Sequence, residues 1–249
     1  FCDFEIVPVP CTVMNLKRVE NYLGEEGILS TRLEGFEFRP QQVDMAAAVA
    51  EAFGNAKHLI VEAGTGTGKS LAYLIPAILW AVENNKKVVI STYTKTLQHQ
   101  ILNHDIPFLR DKLGIAFRYA LCMGNENYLS LRRLKRSAQA GLFTKSDEEN
   151  QWDGIFNWAE ETETGFRSDL PFEVLPQVWE EVGRQKDLCL GKSCETHSSC
   201  FYFKARKKWF GAHLLIVNHH LFFANVANAG AVLPAFDAVV FDEAQNLEE

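Results

Sequence analysis

Little in this sequence points to a membrane or to secretion. Its longest apolar run, Leu71 to Val82, is too short to cross a bilayer and contains Pro76. Nothing near Phe1 resembles a signal peptide, so the chain reads as an internal segment of a cytoplasmic protein. No internal repeat and no low-complexity tract is present, which excludes a repeat array. Cysteine is scarce, six in all, and three of the six sit together as Cys189, Cys194 and Cys200. Without a secretion signal, such a group suggests metal before disulfide. Positive charge is also short: the net charge is −7, which argues against a generally basic nucleic-acid binder.

The average conceals an uneven distribution. Acidic residues crowd the stretch from Asp147 to Glu181, whereas basic ones gather at Arg132, Arg133, Lys135 and Arg136, and again at Lys204, Arg206, Lys207 and Lys208. A local basic stripe matters more to phosphates than the net sum, although solvated helix faces look the same. At 249 residues, 47% hydrophobic, the chain has room for one large domain with a substantial insertion.

Periodicity predicts strands at His58–Glu62, Lys87–Ser91, Ala116–Cys122, His213–Asn218 and Ala238–Phe241. Residues 1–35 read as a short strand followed by an amphipathic segment. Helices are predicted at Gln41–Phe53, Lys69–Glu83, Thr96–Leu109 and Tyr128–Gln139. Alternating strands and helices imply an α/β fold with a mostly parallel sheet covered on both faces. The stretch from about 141 to 210 breaks the rhythm and reads as an insertion.

Two motifs carry chemistry. Glu62-Ala63-Gly64-Thr65-Gly66-Thr67-Gly68-Lys69-Ser70 lies between a predicted strand and a predicted helix, the context of a phosphate-binding loop. Its glycines let successive N–H groups face phosphate oxygens, and the helix N-terminus adds its dipole. Lys69 would reach the β- and γ-phosphates, and Ser70 would offer its hydroxyl to Mg²⁺. Ala63 stands where the strict pattern has Gly. Far away, Val239-Val240-Phe241-Asp242-Glu243 is an apolar strand ending in two carboxylates. In that setting Asp242 holds Mg²⁺ and Glu243 orients the attacking water; without the loop, the pair would be an ordinary solvated turn.

Together these residues resemble the DinG/XPD group of iron–sulfur superfamily 2 DNA helicases. Asp242-Glu243-Ala244-Gln245 is similar to that superfamily's Asp-Glu-Ala-His box, and Leu71-Ala72-Tyr73-Leu74-Ile75-Pro76-Ala77 resembles the group's continuation of the phosphate loop. Phe36-Glu37-Phe38-Arg39-Pro40-Gln41-Gln42 resembles its adenine-reading Q motif, which implies nucleotide contacts from Phe36, Arg39 and Gln42. The run from Ser91 to Gln98 resembles motif Ia, which implies DNA-backbone contacts from Thr92, Thr94 and Gln98. Taken alone, the two threonines would read as helix caps. Val217-Asn218-His219-His220-Leu221 resembles the segment before motif II, and Asn127-Tyr128-Leu129 and the run from Cys200 to Arg206 resemble the borders of the group's iron–sulfur insertion.

The resemblance implies a RecA-like P-loop domain in three parts. Residues 1–122 begin the ATP-binding domain, 123–210 form the iron–sulfur-type insertion, and 211–249 complete the domain to motif II. It implies ATP and Mg²⁺ as cofactors, and single-stranded or forked DNA as the partner, with 5′ to 3′ translocation. A second RecA-like domain would follow and supply arginines for hydrolysis, so this segment alone is expected to turn over ATP poorly. Arg132 and Arg133 would guide the strand. Cys189, Cys194 and Cys200 resemble three ligands of the group's [4Fe–4S] cluster, with Ser130 in the fourth position. The residues alone leave zinc, held by these cysteines and His197, and free structural thiols open as well. Two other functions also stay open: a degenerate helicase-like module that binds DNA or a partner, and a different P-loop NTPase.

Overall fold

The computed structural model describes residues 16–32, 35, 37–64, 66–140 and 146–247. In chain order the main elements are α1 (Leu16–Leu23), α2 (Ile28–Arg32), α3 (Pro40–Gly54), α4 (Lys69–Glu83), β1 (Val88–Thr92), α5 (Lys95–Gln100), α6 (Ile106–Leu113), β2 (Tyr119–Leu121), α7 (Leu131–Ala140), α8 (Ser146–Glu161), α9 (Pro176–Val182), α10 (Phe201–Gly211), β3 (Leu214–Asn218), α11 (His219–Ala227) and β4 (Ala238–Phe241). The chain separates into two compact units, Phe1–Leu121 with Ala212–Glu249, and Cys122–Gly211.

The first unit is α/β. Its sheet is parallel and four-stranded, in the order β2-β3-β1-β4. Val88 to Thr92 pair with Leu214 to Asn218 on one side, and Val88 to Ser91 pair with Ala238 to Phe241 on the other. β1 is buried along its whole length, as expected of a central strand covered on both faces. Its Val-Val-Ile run suits that place because β-branched side chains pack well on a pleated surface.

The helix after the glycine turn, α4, is apolar nearly all round, and Ala72 through Ala81 are all buried. Such a helix belongs inside a core rather than on its rim. It packs against α3, where Phe53 stacks on Trp80 with ring centroids 5.2 Å apart. Pro76 lies within α4 and cannot donate a backbone hydrogen bond there. The helix predicted from Thr96 to Leu109 is divided in three: α5, a π turn over Ile101–Asp105, and α6. Within the turn, the Ile106 N–H donates to the Ile101 carbonyl five residues back. Pro107 follows at once and has no N–H to continue the regular ladder.

One predicted strand is not formed. His58–Glu62 makes no ladder, and Ile60 is 98% exposed. Its apolar run has the composition of a strand, but it pairs with neither outer edge of the sheet, β2 or β4. The N-terminal segment also differs from expectation: its described part is helical, as α1 and α2, and the strand predicted ahead of them falls outside the described residues.

The second unit is mainly helical. Tyr128 is fully buried at its centre, with Phe166 at 4.8 Å and Tyr202 edge-on at 5.2 Å. The Arg184 guanidinium lies 4.0 Å from the Tyr202 ring centroid. Two isolated bridges, Tyr128 to Phe166 and Leu129 to Gly183, tie the segment before α7 to later parts of the same unit.

Candidate nucleotide site

The glycine turn wraps into the N-terminus of α4. Gly66 and Gly68 have φ of +81° and +75°, a region that costs residues with a Cβ. Gly68 is the N-cap of α4, and a Cβ there would lie 2.0 Å from Gln42 Nε2. Two side chains upstream hold the turn by its carbonyls. Arg39 Nη1 donates to Gly66 O at 2.8 Å, and Gln42 Nε2 donates to Gly68 O at 2.9 Å. Arg39 also pairs with Glu37 at 2.9 Å. The turn closes further through Thr67 Oγ1, which donates to Gly64 O at 3.0 Å. Phe36 and Thr65 lie outside the described residues.

Residues from the far end of the chain meet the first turns of α4. Lys69 Nζ lies 3.4 Å from Ala63 O and 4.0 Å from Glu243 Oε1. The Tyr73 hydroxyl donates to Asp242 Oδ2 at 3.0 Å. Ser70 is close enough to the Tyr73 phenol and the Asp105 carboxyl for its hydroxyl to lower the pKa of each. Six side chains, from α4, the π turn and the end of β4, therefore surround one region.

The electrostatics follow from crowding oxygens in a partly dry place. Burial pushes the Tyr73 phenol well above its ordinary range, and the Asp242 charge and hydrogen bond add to this. Burial also raises the Asp105 carboxyl, with help from Asp242; the Ser70 hydrogen bond and His104 act against it. Asp105 Oδ2 is buried with no hydrogen-bond partner among the described residues.

The backbone of the acid pair is held equally firmly. Asp242 N–H donates to Ser91 O at 2.8 Å, fixing the end of β4 to β1. Glu243 has φ +57° and ψ +46°, a left-handed conformation that is rare for a residue with a long side chain and tends to mark functional turns. Gln245 donates through its amide to the Glu243 carboxylate. Behind them His219 is buried, with Nδ1 2.7 Å from Ser91 Oγ. Burial lowers its pKa, opposed by the backbone of Asp242 and Glu243 and by the Asp242 charge.

Other predicted site residues occupy less open positions. Thr92 is fully buried, and its hydroxyl lies 3.4 Å from Thr94 O. Thr94 caps α5, accepting from the Leu97 N–H at 3.2 Å. Gln98 is 3% exposed. In the second unit, Arg132 donates to Leu188 O at 2.5 Å, and Arg133 donates to Glu181 O at 2.9 Å and also to Glu180 O. These guanidiniums bind their own unit's backbone, whereas Lys135, Arg136, Lys204, Lys207 and Lys208 are exposed. Ser130, Cys189, Cys194 and Cys200 line a single cavity in this unit. Among the described residues, no three His, Cys, Asp or Glu side chains are placed to hold one metal ion.

Sequence reasoning missed Tyr73, Asp105 and His219. Tyr73 carried a usable signal, being four residues after Lys69 and three after Ser70, on the same helix face. Asp105 carried none, because the π turn shifts the helical register.

The DEAD/DEAH box helicase model matches residues 40–148. The ATP-dependent DNA helicase YoaA of Haemophilus influenzae is 36% identical over 243 residues, covering 93% of this chain and 36% of that protein. The ATP-dependent helicase DinG of Mycobacterium tuberculosis is 38% identical over 238 residues, covering 87% and 35%. A protein named 3′-5′ exonuclease DinG, from Bacillus subtilis, is 32% identical over 235 residues, covering 90% and 24%. The chain thus carries a DEAD/DEAH box helicase domain and is homologous to helicases named DinG and YoaA. It spans about a third of the length of the first two of these relatives. For this helicase domain the glycine positions make separable predictions. Gly68→Ala is expected to lower unfolding stability in urea by about 1–2 kcal/mol, from the positive φ and the Gln42 clash. Gly64→Ala has open space at its Cβ and is expected to change stability by less than about 0.5 kcal/mol.

Proposed function

We propose that this chain is the ATP-binding half of an ATP-dependent DNA helicase motor. The carrying observation is the approach of Lys69 to Glu243, 4.0 Å apart, beside the Tyr73–Asp242 hydrogen bond. The residues fit a magnesium nucleotide: a glycine turn held open by Arg39 and Gln42, an uncapped helix N-terminus, one lysine, one serine and two strand-end acids. In this reading Lys69 leaves Glu243 to hold the β- and γ-phosphates, and Ser70 and Asp242 hold Mg²⁺. Once freed, Glu243 orients and deprotonates the attacking water. Bound Mg²⁺ supplies neutralisation of the phosphate charge. Arg39 and Gln42 set the turn whose backbone N–H groups face the phosphates.

The resemblance supports the wider reading: a second RecA-like domain completes hydrolysis, and the assembled motor moves 5′ to 3′ on single-stranded DNA. Lys69→Ala is expected to weaken ATP binding by this chain at least about tenfold in calorimetry, since a charge-assisted phosphate contact is lost. Equal affinity for wild type and variant would refute the assignment. In the assembled protein, unwinding only of substrates with a 3′ tail would refute the polarity.

Arg132 and Arg133 have other hydrogen-bond partners, so DNA contacts in the second unit are assigned instead to the exposed cations on α10. Lys204, Lys207 and Lys208 recur at helical spacing and form one stripe. Reversing all three charges is expected to weaken binding of a labelled single strand and reduce its salt slope by about 2. An unchanged slope would dismiss the stripe.

Ser130 and the three cysteines share one cavity, lined also by His197, and the resemblance to the iron–sulfur helicases favours a cluster there. Cys189, Cys194 and Cys200 would hold the cluster, which would supply a cross-link among the segments that carry them. Ser130 Oγ lies 3.4 Å from Arg133 N and serves α7 as a cap, so the fourth corner is weaker than the others. Anaerobically purified protein is expected to contain iron and labile sulfide, and Ser130→Cys to retain more iron on exposure to air. Stoichiometric zinc without sulfide would overturn the cluster.

A further inference from the structure

Two residues outside the phosphate loop and the acid pair are built into the same region. Tyr73 is buried in α4 one turn beyond Lys69, and its hydroxyl donates to Asp242 Oδ2 at 3.0 Å. That bond spans 169 residues of sequence and joins the helix that begins at the phosphate loop to the strand that ends in the acids. Asp105 approaches from a third element, the π turn, which packs against α4. Its carboxyl lies close enough to Ser70 for the hydroxyl to lower its pKa, and its Oδ2 is buried without a hydrogen-bond partner among the described residues. A buried orphan oxygen costs free energy unless something that binds there offsets it.

We propose that Tyr73 and Asp105 are positioning residues for the two magnesium ligands, Tyr73 for the Asp242 carboxylate and Asp105 for the Ser70 hydroxyl. The argument is one of lone pairs. A carboxylate free to turn about its last bond presents either oxygen, or neither, to a cation. Holding Oδ2 with the phenol, while Oδ1 accepts from the Glu243 N–H at 3.1 Å, fixes the plane and leaves each oxygen a second lone pair for a cation. Ser70 must direct a lone pair at the metal, so its single proton needs an acceptor elsewhere. Asp105 is that acceptor, and the π turn brings it there: with regular helix, the carboxyl would be rotated by about one residue, some 100°. Both residues act through another side chain and neither touches the phosphates.

The inference rests on the nucleotide reading above, and the test separates the two. The affinity of the 249-residue chain for a fluorescent ATP analogue is measured with Mg²⁺ and with EDTA, and the ratio of the two is the readout. A residue needed only for folding would change thermal stability, or both affinities together. In Tyr73→Phe, which removes one oxygen, and in Asp105→Asn, which keeps the shape, the magnesium-dependent gain is expected to fall about tenfold. Affinity in EDTA should stay at the wild-type value. A wild-type gain retained in both variants would overturn the inference and leave the nucleotide reading standing. No analogue binding by the folded wild-type chain would remove the nucleotide reading and this inference with it.

Discussion

The immobility of one helix governs the site. Because α4 is apolar on nearly every face and its residues Ala72 to Ala81 are buried, it has no freedom to roll about its axis. Side chains in its first turns therefore have fixed directions. Lys69 points toward Glu243 and Tyr73 toward Asp242. A more amphipathic helix lying on the surface would leave those directions to solvent and chance. The turn before it is fixed from the other side, where Arg39 and Gln42 hold the Gly66 and Gly68 carbonyls.

This arrangement changes the meaning of Gln42. Its amide is buried against the phosphate turn, so its place in the fold is to secure backbone as much as to meet a base. Thr94 shows the same economy: the hydroxyl caps α5 and shapes the strand-to-helix turn. Arg132 and Arg133 stitch α7 to the loop around residues 180–188. In each case a polar side chain near a motif first satisfies neighbouring backbone, as buried polar groups generally must. The cations left to face solvent, such as Lys204, Lys207 and Lys208, are those the helix geometry turns outward.

The acid pair is held by backbone rather than by side-chain packing. Asp242 hydrogen-bonds to β1 through its N–H, and Glu243 takes a left-handed conformation immediately after it. That bend separates the two carboxylates in direction, so adjacent residues face different partners: Tyr73 for one, Lys69 and Gln245 for the other. His219 lies behind them against Ser91, so β1, α11 and the acids share one hydrogen-bonded junction.

The sequence by itself determined the local elements whose causes lie within a few residues. The glycine turn, the full extent of Lys69–Glu83 and the acid-ending strand Ala238–Phe241 were all legible, because periodicity and glycine placement act over i to i+4. The RecA-like reading and the order of motifs were legible too, through resemblance. Only the tertiary structure decided which apolar runs became strands. His58–Glu62 reads like Val88–Thr92, but only the second run gains a hydrogen-bonded neighbour on each side, and such pairing is set by distant segments. It likewise decided that the π turn carrying Asp105 packs against α4 and that Tyr73 meets Asp242. Those contacts join residues tens to more than a hundred positions apart, and no local pattern encodes the distance between them.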